Sequence, residues 1–149
     1  MARIEIVTEA DLDDLLPLMR AYCDFYEVAP ADDDLRRLVL ALIAEPEHEG
    51  FQLIARGDTG AADGFATVFW SWSTLSAARI GVMNDLFVAP SARGSGLADA
   101  LIAECAERCR RHGAKALEWT TAPDNRRAQA VYDRTGARAA QWVEYSLPL

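Results

Sequence analysis

Only one lysine, Lys115, two histidines and three cysteines occur among the 149 residues. Each scarcity removes a class of chemistry. A single lysine argues against a lysine base. The cysteines, Cys23, Cys105 and Cys109, are odd in number and lack the spacing of a metal site or a disulfide framework. Cys105 and Cys109 fall on one helical face beside Leu101 and Ile102, which reads as small buried hydrophobes. His112 directly precedes Gly113, where an imidazole favours a helix end more than it serves chemistry. No apolar run approaches the ~20 residues that cross a bilayer. The opening "MARIEIVTEADLDDLL" lacks the basic-then-apolar layout of a signal peptide. The cytoplasm is therefore the expected location, with no membrane partner. Fifteen basic residues stand against 23 acidic ones, a net charge of -8. Phosphate binding along a nucleic acid wants a basic footprint, so nucleic acid is not an expected partner.

What is present fits one globular domain over residues 1–149, with 51% hydrophobic and 26% charged residues. Charge is uneven. Residues 1–50 carry thirteen acids and four bases, and residues 51–149 carry ten acids and eleven bases. The excess acid is either a solubility feature or a rim that attracts a cationic substrate.

Periodicity gives an order β-α-α-β-β-β-α-β-α-β. Strands are expected at 3–7, 51–56, 64–74 and 80–88. Thr8 and Asp11 mark a helix start ahead of Leu12, Leu15, Leu16 and Met19. Leu35, Leu38, Val39, Leu42 and Ile43 repeat the helical spacing up to Pro46. A helix is expected from about Ser95 to Arg111, closed by Gly113. "KALEWTT" reads as a strand, "DNRRAQAVYDRTGA" as a helix capped by Asp124 and ended by Gly136, and "AQWVEYSL" as a last strand. The class is α/β (α+β): a mixed, mostly antiparallel sheet of about six to seven strands flanked by about four helices.

The stretch "VAPSARGSGLADALI" places Gly94 and Gly96 two residues apart behind Arg93 and ahead of a helix. A strand that enters such a turn presents free backbone N–H groups at the positive end of a helix, a geometry that binds phosphate or pyrophosphate. A tight structural turn is the alternative. The dinucleotide fingerprint is a poor match, because "GSGLAD" puts Asp99 where its third glycine belongs, and no Gly-Lys-Ser/Thr forms a P-loop.

Two segments taken together, "LFVAPSARGSGLADALI" and "DNRRAQAVYDRTGA", resemble the GNAT superfamily of N-acetyltransferases. Arg93, Gly96 and Ala98 match its Arg/Gln-x-x-Gly-x-Gly/Ala segment, and Asn125, Ala128, Tyr132 and Gly136 match a second, downstream pattern. The resemblance implies a GNAT-like fold, acetyl-CoA as cofactor and a small-molecule amine as substrate, with a homodimer as the possible assembly. It implies that Arg93, Gly94, Ser95, Gly96, Leu97, Ala98 and Asp99 surround the coenzyme A pyrophosphate. Backbone groups of Leu86, Phe87 and Val88 would polarise the thioester carbonyl, and Asn125 and Ala128 would lie by the pantetheine arm.

Tyr132 is the expected general acid, since a phenol with a reference pKa of about 10 stays protonated at neutral pH. An alkylamine must also lose a proton before it attacks, and Asp85 is the first candidate base, directly or through water; Glu118 is the second. In polyamine acetyltransferases, which "NDLFV" partly resembles, a Glu often precedes this Asp. Here Asn84 stands in that place, which leaves polyamine specificity open. Tyr22, Tyr26, Glu27, Trp70, Trp72 and Asn84, with Asp24 and Asp32 to Asp34, are candidates for the acceptor entrance, where aromatic faces hold a cation. Core packing is the alternative for Trp70 and Trp72. A coenzyme A-binding module without turnover and a protein or peptide amine acetyltransferase are the rival functions.

Overall fold

The structure, a computed structural model, describes residues 2–149. Strand β1 (Arg3–Ile6) is followed by a short 3-10 turn and helix α1 (Leu12–Phe25). The Thr8 backbone N–H and hydroxyl both donate to Asp11 Oδ2, at 2.9 and 3.0 Å. Asp11 in turn pairs with Arg56, which also holds Asp14, each at 2.8 Å. This double ion pair fixes the start of α1 on the end of strand β2 (Gly50–Arg56). Helix α2 (Asp32–Ala44) lies between α1 and β2 in the chain. Strands β3 (Ala62–Ser73) and β4 (Ala78–Val88) follow, then helix α3 (Leu97–His112), strand β5 (Leu117–Glu118) and helix α4 (Arg126–Asp133).

The sheet order is β1-β2-β3-β4-β5. The first four strands are antiparallel and β5 runs parallel to β4. Strand alternation divides the core into two layers. Ile54, Phe65 and Phe87 pack with Leu15, Met19 and Val39 of α1 and α2 on one face. Leu53, Ala66, Val68 and Met83 pack with Leu101, Cys105 and Cys109 of α3 on the other. Burying each large apolar side chain of this kind stabilises by about 1.5–3 kcal/mol. All three cysteines are free and buried. Burial pushes the thiols of Cys105 and Cys109 up, the latter to about 11, so both act as small hydrophobes.

One irregularity determines the site. Thr67 of β3 faces Asp85, whereas the next residue, Val68, faces Met83, so Asn84 is the extra residue of a bulge. The bulge reverses the alternation of β4. Met83 faces α3, and Asp85 and Phe87 face α1.

The fold class stands as expected, with five corrections of detail. The sheet has five strands among the described residues, rather than six to seven. Only Leu117–Glu118 of "KALEWTT" is strand, because β5 has a ladder partner on one edge alone. The "AQWVEYSL" segment has no strand partner among the described residues: Trp142, Val143, Tyr145 and Leu147 are exposed. Alternation reports that a segment is able to pair, and it does not supply the neighbouring edge. Finally, α3 begins at Leu97 after a left-handed Gly96, and α4 is capped by Asn125, not Asp124: Asn125 Oδ1 accepts the Ala128 N–H at 3.2 Å.

Candidate active site

A cavity of about 660 Å³ opens between α1, the end of β4, the Arg93–Asp99 turn, the segment after β5, and α4. Its size suits a cofactor-sized ligand. It exists because β4 and β5 pair only at Gly81–Leu117 and Val82–Glu118. Further along, Leu86, Phe87 and Val88 form one wall and Trp119, Thr120 and Thr121 form the other.

At one end stands the glycine turn. Gly94 and Gly96 have φ of +79° and +82°, and no atom lies within 4 Å of where a Cβ would stand on either. Only glycine takes this conformation without strain. No side chain caps α3, so its first-turn amides are left for a ligand. Leu97, Ala98 and Asp99 line the cavity there, with Arg93 and Arg134; Arg127 of α4 also lines the cavity. Arg93 also fixes the turn: its Nε donates to the Val88 carbonyl at 3.1 Å, and its guanidinium lies 5.9 Å from the Phe87 ring centroid. Ser95 stays outside the wall and donates through Oγ to the Ala92 carbonyl at 2.6 Å. Arg134 pairs with Asp99 at 3.0 Å and ties the residue after α4 to α3. Open space, free amides, a helix N-terminus and the Arg93 and Arg134 guanidinium groups together fit a pyrophosphate.

Helix α4 contributes Asn125, Ala128, Val131 and Tyr132 to the wall. Burial raises the Tyr132 phenol above its ordinary value, and nearby Tyr26 raises it further. The hydroxyl therefore stays protonated at neutral pH.

The other end is aromatic. Tyr22, Phe25 and Tyr26 of α1 line it beside Asn84, with the Tyr22 and Tyr26 rings 5.0 Å apart. Asp85 is only 8% exposed and lies behind this wall rather than in it. Burial pushes its carboxyl above the usual range, against hydrogen bonds from Thr67, Tyr22 and Asn84 that favour the carboxylate. The Asn84 amide donates to Asp85 Oδ1 at 2.9 Å.

Several sequence candidates lie elsewhere. Trp70 stacks on His112, ring centroids 3.8 Å apart, and its indole N–H donates to the Pro46 carbonyl at 2.9 Å. Glu118 sits exposed on β5, and Glu27 sits exposed past α1 with φ of 57°; neither lines the cavity. Trp72 is exposed, with Arg79 over its ring at 5.1 Å. Asp32 and Asp34 are held by Arg20 and Arg37 in the first turn of α2, away from the cavity wall. Phe25, Trp119, Arg127 and Arg134 were not among the sequence candidates. The aromatic spacing 22, 25, 26 on one helix was the available signal for Phe25.

The family described as acetyltransferase (GNAT) matches residues 15–137. The chain is 34% identical over 128 residues to the uncharacterized N-acetyltransferase YhfO of Bacillus subtilis (strain 168), covering 85% of this chain and 83% of that one. A crystal structure of a probable acetyltransferase superposes with a TM-score of 0.85 at 31% identity, over 99% of this chain and 97% of the other. An aminoglycoside acetyltransferase from an uncultured soil metagenomic sample, in complex with sisomicin, gives a TM-score of 0.82 over 99% and 96% at 18% identity, a likeness of fold alone. The family match and the N-acetyltransferase relatives define an acyl-CoA-dependent acetyltransferase. The chain belongs to the GNAT acetyltransferase family. Among the described residues no helix is long and apolar enough to cross a membrane.

Proposed function

We propose that this enzyme transfers the acetyl group of acetyl-CoA to the primary amine of a small cationic molecule by direct attack, with Tyr132 as general acid. Bound acetyl-CoA supplies an activated thioester. The observation that carries the reading is the cavity's polarity. Free amides and guanidinium groups stand at one end, aromatic faces backed by a buried carboxylate stand at the other, and a protonated phenol lies between.

The Gly94–Gly96 turn and the first turn of α3 hold the pyrophosphate, with Arg93 bracing the turn. Leu86, Phe87 and Val88 present main-chain groups along the unpaired side of β4 and orient the carbonyl. One such donor contributes about 3 kcal/mol to a developing oxyanion. Asn125 and Ala128, at the N-terminus of α4, line the cavity wall and flank the cofactor's pantetheine arm. The Tyr132 hydroxyl gives its proton to the departing sulfur. The Tyr22, Phe25 and Tyr26 faces attract a cation, worth about 0.5–2 kcal/mol when desolvated. Cationic, neutral and anionic amines should be mixed in one reaction and their acetylated products compared by mass spectrometry. Predominance of the cationic product supports the reading, and predominance of a neutral or anionic one overturns it.

The enzyme also forms a homodimer in this reading. Support comes from the exposed apolar residues at 142–149, which alternate as a strand does, and from the open edge of β5. Such segments pair with another chain unless they are blunted by charge. The opposite edge, β1, is blunted by the Arg3–Glu5 ion pair at 3.2 Å, which leaves β5 of a second copy as the matching surface.

A further inference from the structure

An alkylamine is almost wholly protonated at neutral pH, so its proton must leave before attack. Among the described residues, the acceptor end of the cavity offers no carboxylate of its own. Asp99 is the carboxylate in the wall, and it is engaged by Arg134 at the opposite end. Asp85 has the basicity but lies one layer back. The group between Asp85 and the cavity is Tyr22.

Tyr22 is held rigidly. Its ring meets Phe65 edge-on at 5.9 Å and 78°, and Phe87 at 6.3 Å and 82°. Its hydroxyl donates to the Asn84 carbonyl at 3.3 Å, beside the Asp85 carboxyl; burial raises the phenol and that charge raises it further. A phenol has one hydrogen, and an ionised carboxylate outcompetes a main-chain carbonyl for it. Asp85 is itself positioned from two further sides. Thr67 faces it across the β3–β4 ladder, and the Thr67 hydroxyl oxygen accepts from Gln52 Nε2 at 3.0 Å. That acceptance leaves the Thr67 hydrogen free for Asp85. The Asn84 amide completes the set at 2.9 Å.

We propose that Tyr22 is the catalytic residue that receives the proton of the acceptor ammonium and passes its own phenolic proton to Asp85. The ammonium N–H bond breaks as a Tyr22 O–H bond forms, and the former Tyr22 O–H bond breaks as an Asp85 O–H bond forms. The phenol ends neutral, the amine gains a free electron pair, and the carboxylate becomes a carboxylic acid. Asp85 returns that proton to solvent by the same route after product leaves. Asp85 is thus a positioning residue and proton reservoir that never touches the substrate. The inference rests on the proposed amine acetylation and names the base end of that same site, opposite Tyr132. Burial raises both Tyr22 and Asp85, so the phenol does not ionise on its own and the carboxylate is more basic than an exposed one.

The titratable groups facing this pair are Cys23 and Tyr26 of α1, with Arg20 and Asp24 acting on Cys23. Thr67, Gln52 and Asn84 are the neutral partners. The test compares two acceptors at pH 7 with saturating acetyl-CoA: the cationic amine that the wild type turns over best, and an alkoxyamine, which is already neutral there. Tyr22→Phe and Asp85→Asn should each lower kcat for the cationic amine about a hundredfold and lower it severalfold at most for the alkoxyamine. For the cationic amine, the loss in both variants should shrink as pH rises toward the amine's own pKa. Equal losses on both acceptors, or wild-type kcat in Tyr22→Phe, would overturn the relay. Should Tyr22→Phe fail to fold, Asp85→Asn carries the same comparison. If the wild type acetylates no amine at all, the proposed function fails and the relay with it; a failure of the relay alone leaves wild-type turnover intact.

Discussion

Tyr132 meets Trp119 edge-on, with ring centroids 5.3 Å apart and planes at 69°. The contact joins α4 to the segment after β5, and both residues line the cavity, Tyr132 half-buried. Tyr132→Phe keeps that ring contact and removes the hydroxyl alone. It should lower kcat by about 10²–10⁴-fold, the range for a lost general acid, with KM for acetyl-CoA changed less than threefold. Parallel loss of kcat and acetyl-CoA affinity would make Tyr132 a packing residue.

Coenzyme A should raise the Tm of the wild type, since a ligand bound only by the folded state stabilises it by mass action. Gly96→Val should abolish most of that rise. The site is open, but a β-branched residue at φ +82° is strained, and the turn must reshape to relieve it. A full rise in the variant would show that the turn does not hold the cofactor.

Asp85 carries a stability cost that the proposed chemistry requires. Its folded-state carboxyl is raised by burial, so the folded protein binds this proton more tightly than the unfolded chain does. Its contribution to stability is complete below the ordinary carboxylate value and is lost as pH rises through the higher folded-state value. Asp85→Asn should therefore raise Tm at pH 7 and flatten the decline above pH 4 while reducing turnover. A lower Tm at pH 7 would mean that the charged form is favoured in the fold.

Light scattering should show a dimer for the full chain and a monomer once residues 138–149 are removed. A full chain that remains monomeric at micromolar concentration contradicts pairing through this segment.

Asp32, Asp33 and Asp34 occupy the first turn of α2, where negative charge favours the helix N-terminus. Arg20 and Arg37 hold two of them. Replacing all three with asparagine should lower Tm by a few degrees and leave KM for the amine unchanged. A raised amine KM with unchanged Tm would place the acceptor entrance at α2.

The parts of the site that are local in sequence were legible in it. Gly94 and Gly96 announce a left-handed turn because other residues avoid that conformation, and Asn125, Ala128 and Tyr132 share one short helix. What depends on a neighbouring strand was not legible. The bulge at Asn84 reverses the direction of every later side chain on β4, so the surroundings of Asp85 cannot be read from alternation. Trp70 and Trp72 alternate as cavity residues would, yet one stacks on His112 and the other lies exposed. Asp124 and Asn125 are equally good caps by residue type, and only the observed bond to Ala128 chooses between them. The "AQWVEYSL" alternation identified an apolar strand-like segment without revealing that its own sheet leaves it unpaired.

The most direct measurement of the central claim is free-thiol release from acetyl-CoA by the wild-type protein, with and without a diamine, at low and at raised salt. The account predicts release that depends on the diamine and weakens as salt rises, because salt screens, over about 8 Å at physiological ionic strength, the long-range attraction of a cation by the acid excess of residues 1–50. Release that is independent of any amine, or that favours an uncharged acceptor regardless of salt, would contradict it.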